Sequence, residues 1–519
     1  MYLNMKHPGM NRFNRIVLIF ALIKFSIAFL FIHHDFELQR DEYLYLADGG
    51  HLAWGFIEMP PALALLGRIS MLLGGSFYAV YFWGALFGAL TVVLIGEIVK
   101  ALGGKEYALF IACLAFLVSG FLRMHILFQP NFLDVFFWTL SCYYIIRWIC
   151  TSETKYLYFI GICFGIGMLS KYTMAFFIIS YWASVVLTRQ RALLRSRHFY
   201  FSMLIALAIA LPNIIWQMAH QFPVAHHMKL LQKQQLQYLS RIGFLLDQII
   251  ITLPCFFVWL AGLWYVFLTR EGRKFISIGT LYLAIIVLLE IFKGKNYYAM
   301  SIYPALLAIG AVHLEKRFAT KSFFRIAIRV VILSLGIPFF PLTLPFASPG
   351  TLEKIYQGTG AGKLGALKWE DGQNHPLPQD FADMLGWREM TLKVSAAWNK
   401  LDSNEKAHTL LFCDNYGEAG AVNYFGRKYH LPQAYSDNAS FLYWFPEKQH
   451  IDNILLVTDD KEEMRHEFIK EFRSAELTDS ITNPYAREKG SLIILLKGAN
   501  ERFNDMFRQK IQADKEALK

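Results

Sequence analysis

Between two long apolar runs, 14–34 and 77–99, the stretch 35–61 reads DFELQRDEYLYLADGGHLAWGFIEMPP and carries Asp35, Glu37, Asp41, Glu42, Asp48 and Glu58. Tyr43, Tyr45, Trp54 and Phe56 interleave with these carboxylates, as expected of chain lying at the level of lipid headgroups. The adjacent pair Asp41 and Glu42 admits two readings of equal weight on charge and position alone. One is a pair of solvated loop carboxylates. The other is a general base that deprotonates a hydroxyl or amine as it attacks an activated carbon, a step worth about 100- to 10,000-fold in rate.

Glu58 precedes Met59-Pro60-Pro61, which imposes an extended backbone and stops any helix. It reads as a surface acid before a turn or as a metal ligand or acceptor clamp. His51, seven residues upstream, is a weak second ligand at that spacing. Asp134, in FQPNFLDVFFW, is costly beside an apolar run unless it faces a bundle interior or polar cavity. Capping of the run by Asn131 or Asp134 competes with that role and carries about half its weight. Lys171 and Tyr172 sit in LSKYT, and Lys293, Lys295, Tyr297 and Tyr298 in FKGKNYYAM. These lysines read as snorkelling markers of the interface or as point charges for a lipid phosphate. Arg123 and His125 are placed to contribute in the same way. His220, His226 and His227 cluster, and the structural reading is preferred for them.

Chain with these properties must be held by membrane helices. Of 519 residues, 55% are hydrophobic, 16% aromatic and only 18% charged, too apolar for a soluble domain of this length. Eleven runs are candidate spans: 14–34, 77–99, 107–128, 132–150, 156–169, 172–187, 199–216, 242–268, 275–292, 297–312 and 326–345. Each approaches or exceeds the roughly 18 residues that cross a hydrocarbon core, the fifth and sixth being short. The N-terminal run is too long for a signal-peptide core and lacks a cleavage site, so it reads as an uncleaved anchor.

The net charge of +11 is topological rather than a nucleic-acid footprint. Its clusters (Lys6, Arg12 and Arg15; Lys100 and Lys105; Arg189, Arg191, Arg195 and Arg197; Arg270, Arg273 and Lys274; Lys316, Arg317, Lys321 and Arg325) all fall on one side if eleven spans are crossed. By the positive-inside rule that side is cytoplasmic. The 35–61 loop and the segment after 348 then lie opposite. The six cysteines show no metal spacing or disulfide framework. Beyond residue 348, buried strands are expected at 409–413, 454–458 and 492–496 and helices at 416–425 and 461–472, a small α/β domain.

Taken together, RDEYLYLADGGHLAWGFIEMPPALALLGR, FQPNFLDVFFWTL, GIGMLSKYT, LPNIIWQMAHQFP, GKNYYAMSIYPALLA, LPQDFADMLGW and NYGEAGAVNYFG resemble the bacterial family 39 glycosyltransferases. These are relatives of the dolichyl-phosphate-mannose protein mannosyltransferases and of the lipid A aminoarabinose transferase. The resemblance implies a GT-C fold: about eleven transmembrane helices (1–347) and a C-terminal non-cytoplasmic α/β domain (348–519) in the plasma membrane. It implies inverting transfer from a polyprenyl-phosphate sugar to lipid A, another glycolipid or a protein, and leaves a divalent metal open.

By the same resemblance Asp41 corresponds to the catalytic acid, supported by Glu42, Glu58 and Asp134, and Glu58 falls at a metal-associated position. Met59 stands where that relative has a phosphate-binding Lys. The family's Asp before Pro is replaced by Gln129-Pro130-Asn131, with the acid displaced to Asp134. Lys171, Tyr172, Lys293, Lys295, Tyr297 and Tyr298 are expected to bind substrate. The rival readings are a transporter or flippase of a lipid-linked sugar and a membrane-anchored receptor. Acids concentrated in one outer loop, rather than along the spans, argue against transport.

Overall fold

The computed structural model describes residues 11–234, 240–446 and 450–517. Lys6, the first member of the charge pattern, and residues 235–239 lie outside them. Two compact units result: 1–31, 81–214 and 232–344 form one; 32–80, 215–231 and 345–519 form the other.

The first unit is helical. Among the described residues, seven helices are long and apolar enough to cross a membrane, and the pair Arg241–Ile251 and Phe256–Leu268 makes an eighth if counted as one span. Glu106–Leu117, Lys155–Ser170 and Met174–Leu187 are shorter apolar helices at three further expected spans. Each of the eleven runs is therefore helical, with two corrections. The run 242–268 is not one straight span, because its two helices meet at 106°. The run 107–128 ends its long helix at Leu117 and continues as the single turn Phe121–Met124. Its interior is filled by large aromatics, among them Phe116, Phe128, Phe132, Trp138 and Phe177, all fully buried. The amine of Lys24, 3% exposed, donates to the Phe121 carbonyl at 2.8 Å and so meets the requirement that a buried charge find a partner.

In the second unit a four-stranded sheet runs β1-β2-β4-β3, with β1 Thr409–Cys413, β2 Asn453–Thr458, β3 Phe472–Ser480 and β4 Leu492–Ala499. β1 and β2 pair in parallel; β4 runs antiparallel to β2 and β3. The parallel strands are buried throughout, which explains their unbroken apolar sequence. The expected helix 461–472 is instead two short 3-10 turns, Glu463–Arg465 and Glu467–Glu471, followed by β3. Phe472 alternates with exposed polar positions and pairs opposite Ala499, so cross-strand pairing overrides the local helical pattern.

Two helices matter most for the site. Arg40–Gly50 opens with a reciprocal cap between Gln39 and Glu42, and Tyr416–Gly426 opens with the same device between Asn415 and Glu418. They approach closely because Gly420 has no side chain: a Cβ there would stand 2.8 to 3.0 Å from Tyr43 atoms, two of them backbone. Gly417, one turn earlier, faces the Arg40 side chain. Gly420→Ala is expected to lower stability by about 1–3 kcal/mol through overpacking, read as a lower thermal midpoint of the detergent-solubilised protein. An unchanged midpoint would show that the two helices are not locked at this contact.

Candidate active site

Asp41 lies in the first turn of helix Arg40–Gly50, half-buried. Its backbone N–H donates to the Gln39 side chain at 2.9 Å, and its Oδ1 accepts from the Tyr416 hydroxyl at 2.8 Å. Burial first, and then the Asp41 charge, push the Tyr416 phenol well above its usual range; it therefore stays protonated and remains a donor. The Arg40 guanidinium covers the Tyr416 ring at 5.0 Å and approaches Glu488 at 4.0 Å. The charges facing Asp41 and Tyr416 from neighbouring elements are Arg40 and Asp383.

Glu42, expected beside Asp41 as a supporting catalytic acid, closes the reciprocal helix cap. It is fully buried, and its carboxylate accepts the Gln39 N–H at 2.6 Å. Sequence adjacency concealed this division, since successive helical residues point in different directions.

Glu58 is set by its neighbours. Ile57 is anchored in the core with Leu442, Phe445 and Ile454, and its N–H donates to Ser440 Oγ at 3.1 Å. Ser440 in turn donates to Glu58 Oε2 at 2.8 Å. The residue beside Glu58 is Asp48 rather than His51: Asp48 is wholly buried, and the Glu58 charge acts directly on it. His51 is exposed and stacks on Trp444 at 4.0 Å. Neither Asp48 oxygen, nor Glu58 Oε1, has a hydrogen-bond donor. Two enclosed carboxylates with three undonated oxygens suit a divalent cation or a retained proton, so the residues fit the metal that the sequence left open.

Burial and the neighbouring Glu58 push Asp48 well up, and burial pushes Glu58 up. The folded pair thus keeps a proton that the unfolded chain releases above the ordinary carboxylate range, and its contribution to stability falls as pH rises. With a chelator present, Asp48→Asn is expected to raise the thermal midpoint at about pH 8 and flatten its decline with pH. A variant less stable than wild type across the range would contradict the assignment.

The other candidates meet in the helical unit. Asp134 is 3% exposed and does not cap its helix, whose N-cap is Pro130. Its Oδ1 accepts from Thr173 at 2.9 Å and its Oδ2 from Ser301 at 2.7 Å. Lys171, between helices Lys155–Ser170 and Met174–Leu187, donates to Asn131 Oδ1 at 2.6 Å. The Lys171 ammonium lies over the rings of Tyr298 and Tyr297, at 4.7 and 5.3 Å. The Tyr172 hydroxyl accepts from Asn213 at 3.2 Å. Lys293 has φ +50°, a costly conformation for a residue with a side chain, and Lys295 precedes the 3-10 turn Asn296–Ile302.

His220 stacks on Trp216 at 4.0 Å, the structural role expected of it. Among the described residues, no three-ligand group includes any of the histidines at 220, 226 and 227. Sequence reasoning missed Tyr416 and the pairing of Asp48 with Glu58. The usable signal for Tyr416 was NYGEAG, in which glycines three residues apart leave one helix face flat immediately after a tyrosine.

A family model described as dolichyl-phosphate-mannose-protein mannosyltransferase matches residues 58–216. Comparison with curated proteins finds no match. Among solved structures, ArnT from Cupriavidus metallidurans bound to undecaprenyl phosphate superposes with a TM-score of 0.61 at 13% identity, covering 93% of this chain and 97% of ArnT. The Archaeoglobus fulgidus oligosaccharyltransferase AglB, in complex with an inhibitory peptide and a dolichol-phosphate, gives a TM-score of 0.50 at 13% identity over 87% of this chain and 70% of AglB. At these identities the likeness is one of fold, and the fold is GT-C, with apolar helices and a small C-terminal sheet domain. This chain therefore shares the GT-C fold with these structures. Residues 58–216 carry its likeness to the dolichyl-phosphate-mannose-protein mannosyltransferases.

Proposed function

We propose that the protein transfers a sugar from a polyprenyl-phosphate donor to an envelope acceptor, lipid A, another glycolipid or a protein, on the non-cytoplasmic face of the plasma membrane. The observation that carries this reading is a half-buried carboxylate, Asp41, held by the half-buried phenol of Tyr416, which stays protonated. Asp41 removes the proton of the acceptor hydroxyl or amine as that atom attacks the anomeric carbon. The bond from that carbon to the phosphate oxygen breaks with its electron pair, the configuration inverts, and polyprenyl phosphate departs. Since the phosphodiester is already activated, the residues need only orient, accept a proton and balance charge.

Lys171 is the cation for the phosphate, with Lys293 and Lys295 as further positive charge and Tyr297 and Tyr298 as its ring walls. Asp134 holds the helix ends that carry Lys171 by accepting from Thr173 and Ser301. A divalent cation held by Asp48 and Glu58 would supply additional positive charge against phosphate oxygens.

The test is the full chain in liposomes with a radiolabelled polyprenyl-phosphate sugar. Transfer predicts a new glycosidic bond and free polyprenyl phosphate. A change of sidedness alone would establish the transporter reading instead.

Tyr416→Phe removes one donor from Asp41 without altering the ring. It is expected to lower kcat roughly tenfold with little change in KM. A kcat equal to that of the wild type would assign Tyr416 to packing only.

A further inference from the structure

A cleft of about 400 Å³ in the second unit lies between the end of the apolar helix Ala62–Leu72 and the end of helix Tyr416–Gly426. Its polar wall is formed by Arg388, Arg427, Lys428 and Tyr429, and no carboxylate lines it. Arg388 is fixed in place: its Nε lies 3.4 Å from buried Glu37, and its guanidinium is 5.1 Å from the Phe77 ring and 5.6 Å from that of Phe425. Glu37 balances that charge. Arg427 and Lys428 are exposed, in a single 3-10 turn, Arg427–Tyr429.

The opposite wall is Met71, Gly74 and Gly75. It is tied down by the Tyr424 hydroxyl, which donates to the Gly75 carbonyl. Directly flanking that wall, Leu72 and Leu73 are 72% and 68% exposed. Two adjacent exposed leucines next to a carboxylate-free cationic cleft form an amphipathic surface. Its charged part suits a phosphate, and its apolar part suits acyl chain.

We propose that this cleft binds the phosphate of an anionic lipid headgroup, with the lipid chains lying on Leu72 and Leu73. Arg427 and Lys428 supply the charge and Arg388 the rigid floor. The cleft involves neither Asp41 nor Lys171, so it stands apart from the transfer reading.

The test uses the full chain in nanodiscs with a photoreactive phosphatidate, and mass spectrometry to locate the adducts. Labelling is expected on peptides containing 71–75 or 424–429. It should fall roughly thirtyfold in Arg427→Ala/Lys428→Ala, since each basic group near a lipid surface contributes about fivefold. A phosphatidylcholine analogue should label weakly, and soluble glycerol phosphate should compete poorly. Equal labelling of the double variant, or equal labelling by phosphatidylcholine, overturns the proposal. Competition by glycerol phosphate as strong as by phosphatidate would overturn the lipid assignment in favour of a soluble phosphate. Both substituted residues are exposed, and an unchanged thermal midpoint shows that the variant is folded. Since binding is read without turnover, an inactive transferase leaves the result interpretable.

Discussion

Asp41→Asn is expected to reduce sugar transfer by about 100- to 10,000-fold, the range associated with loss of a positioned general base. Asparagine is nearly isosteric, and its side-chain oxygen can still accept from Tyr416, so the hydrogen bond at 2.8 Å in the wild type has a counterpart in the variant. The cap contributed by Gln39 to the Asp41 N–H is a backbone interaction and is unaffected. Folding and membrane insertion should therefore be preserved, and the deficit should appear in kcat with donor KM nearly constant. The measurement is initial rate against donor concentration in proteoliposomes, with the thermal midpoint recorded in parallel. Turnover at the wild-type rate would remove Asp41 from the reaction.

Lys171→Met is expected to raise the KM for donor by roughly 10- to 100-fold, the cost of losing one charge-assisted contact to phosphate. Methionine keeps the apolar stem that packs in the wild type and deletes only the ammonium. The ammonium sits over two tyrosine rings and donates to the neutral Asn131 side chain. Asp134 accepts from Thr173 and Ser301 and its charge also acts on Lys171; the donor phosphate would be the second anion for this ammonium. Saturating donor should restore much of the rate. A variant that loses kcat while keeping donor KM would show that Lys171 serves the chemical step and not phosphate binding. Together the two variants separate proton removal from phosphate recognition by their kinetic signatures.

Much of this was written in local composition. Apolar length alone located the eleven runs that prove helical, though not the apolar helix Ala62–Leu72, because any run that fills a bilayer must satisfy its own backbone hydrogen bonds. The strands Thr409–Cys413 and Asn453–Thr458 were visible for the related reason that a strand covered on both faces carries a near-continuous apolar run, here 410–413 and 454–457. The carboxylate-rich stretch and its Asp41 stood out by charge, as did the lysines of FKGKNYYAM.

Function within those segments depended on contacts far apart in the chain. Asp41 and Glu42 are equivalent by type and position. Only the fold buries one as a cap and places the hydroxyl of Tyr416, 375 residues away, on the other. Asp48 looked like any loop acid until Ser440, 382 residues beyond Glu58, fixed its neighbour beside it. The helix expected at 461–472 gave way to turns and β3 because β4 offered an edge to pair with. Propensity and hydropathy are properties of neighbouring residues and are readable in order. Burial, shared protons and the partner of a carboxylate depend on which segments pack together, and that was settled by tertiary structure.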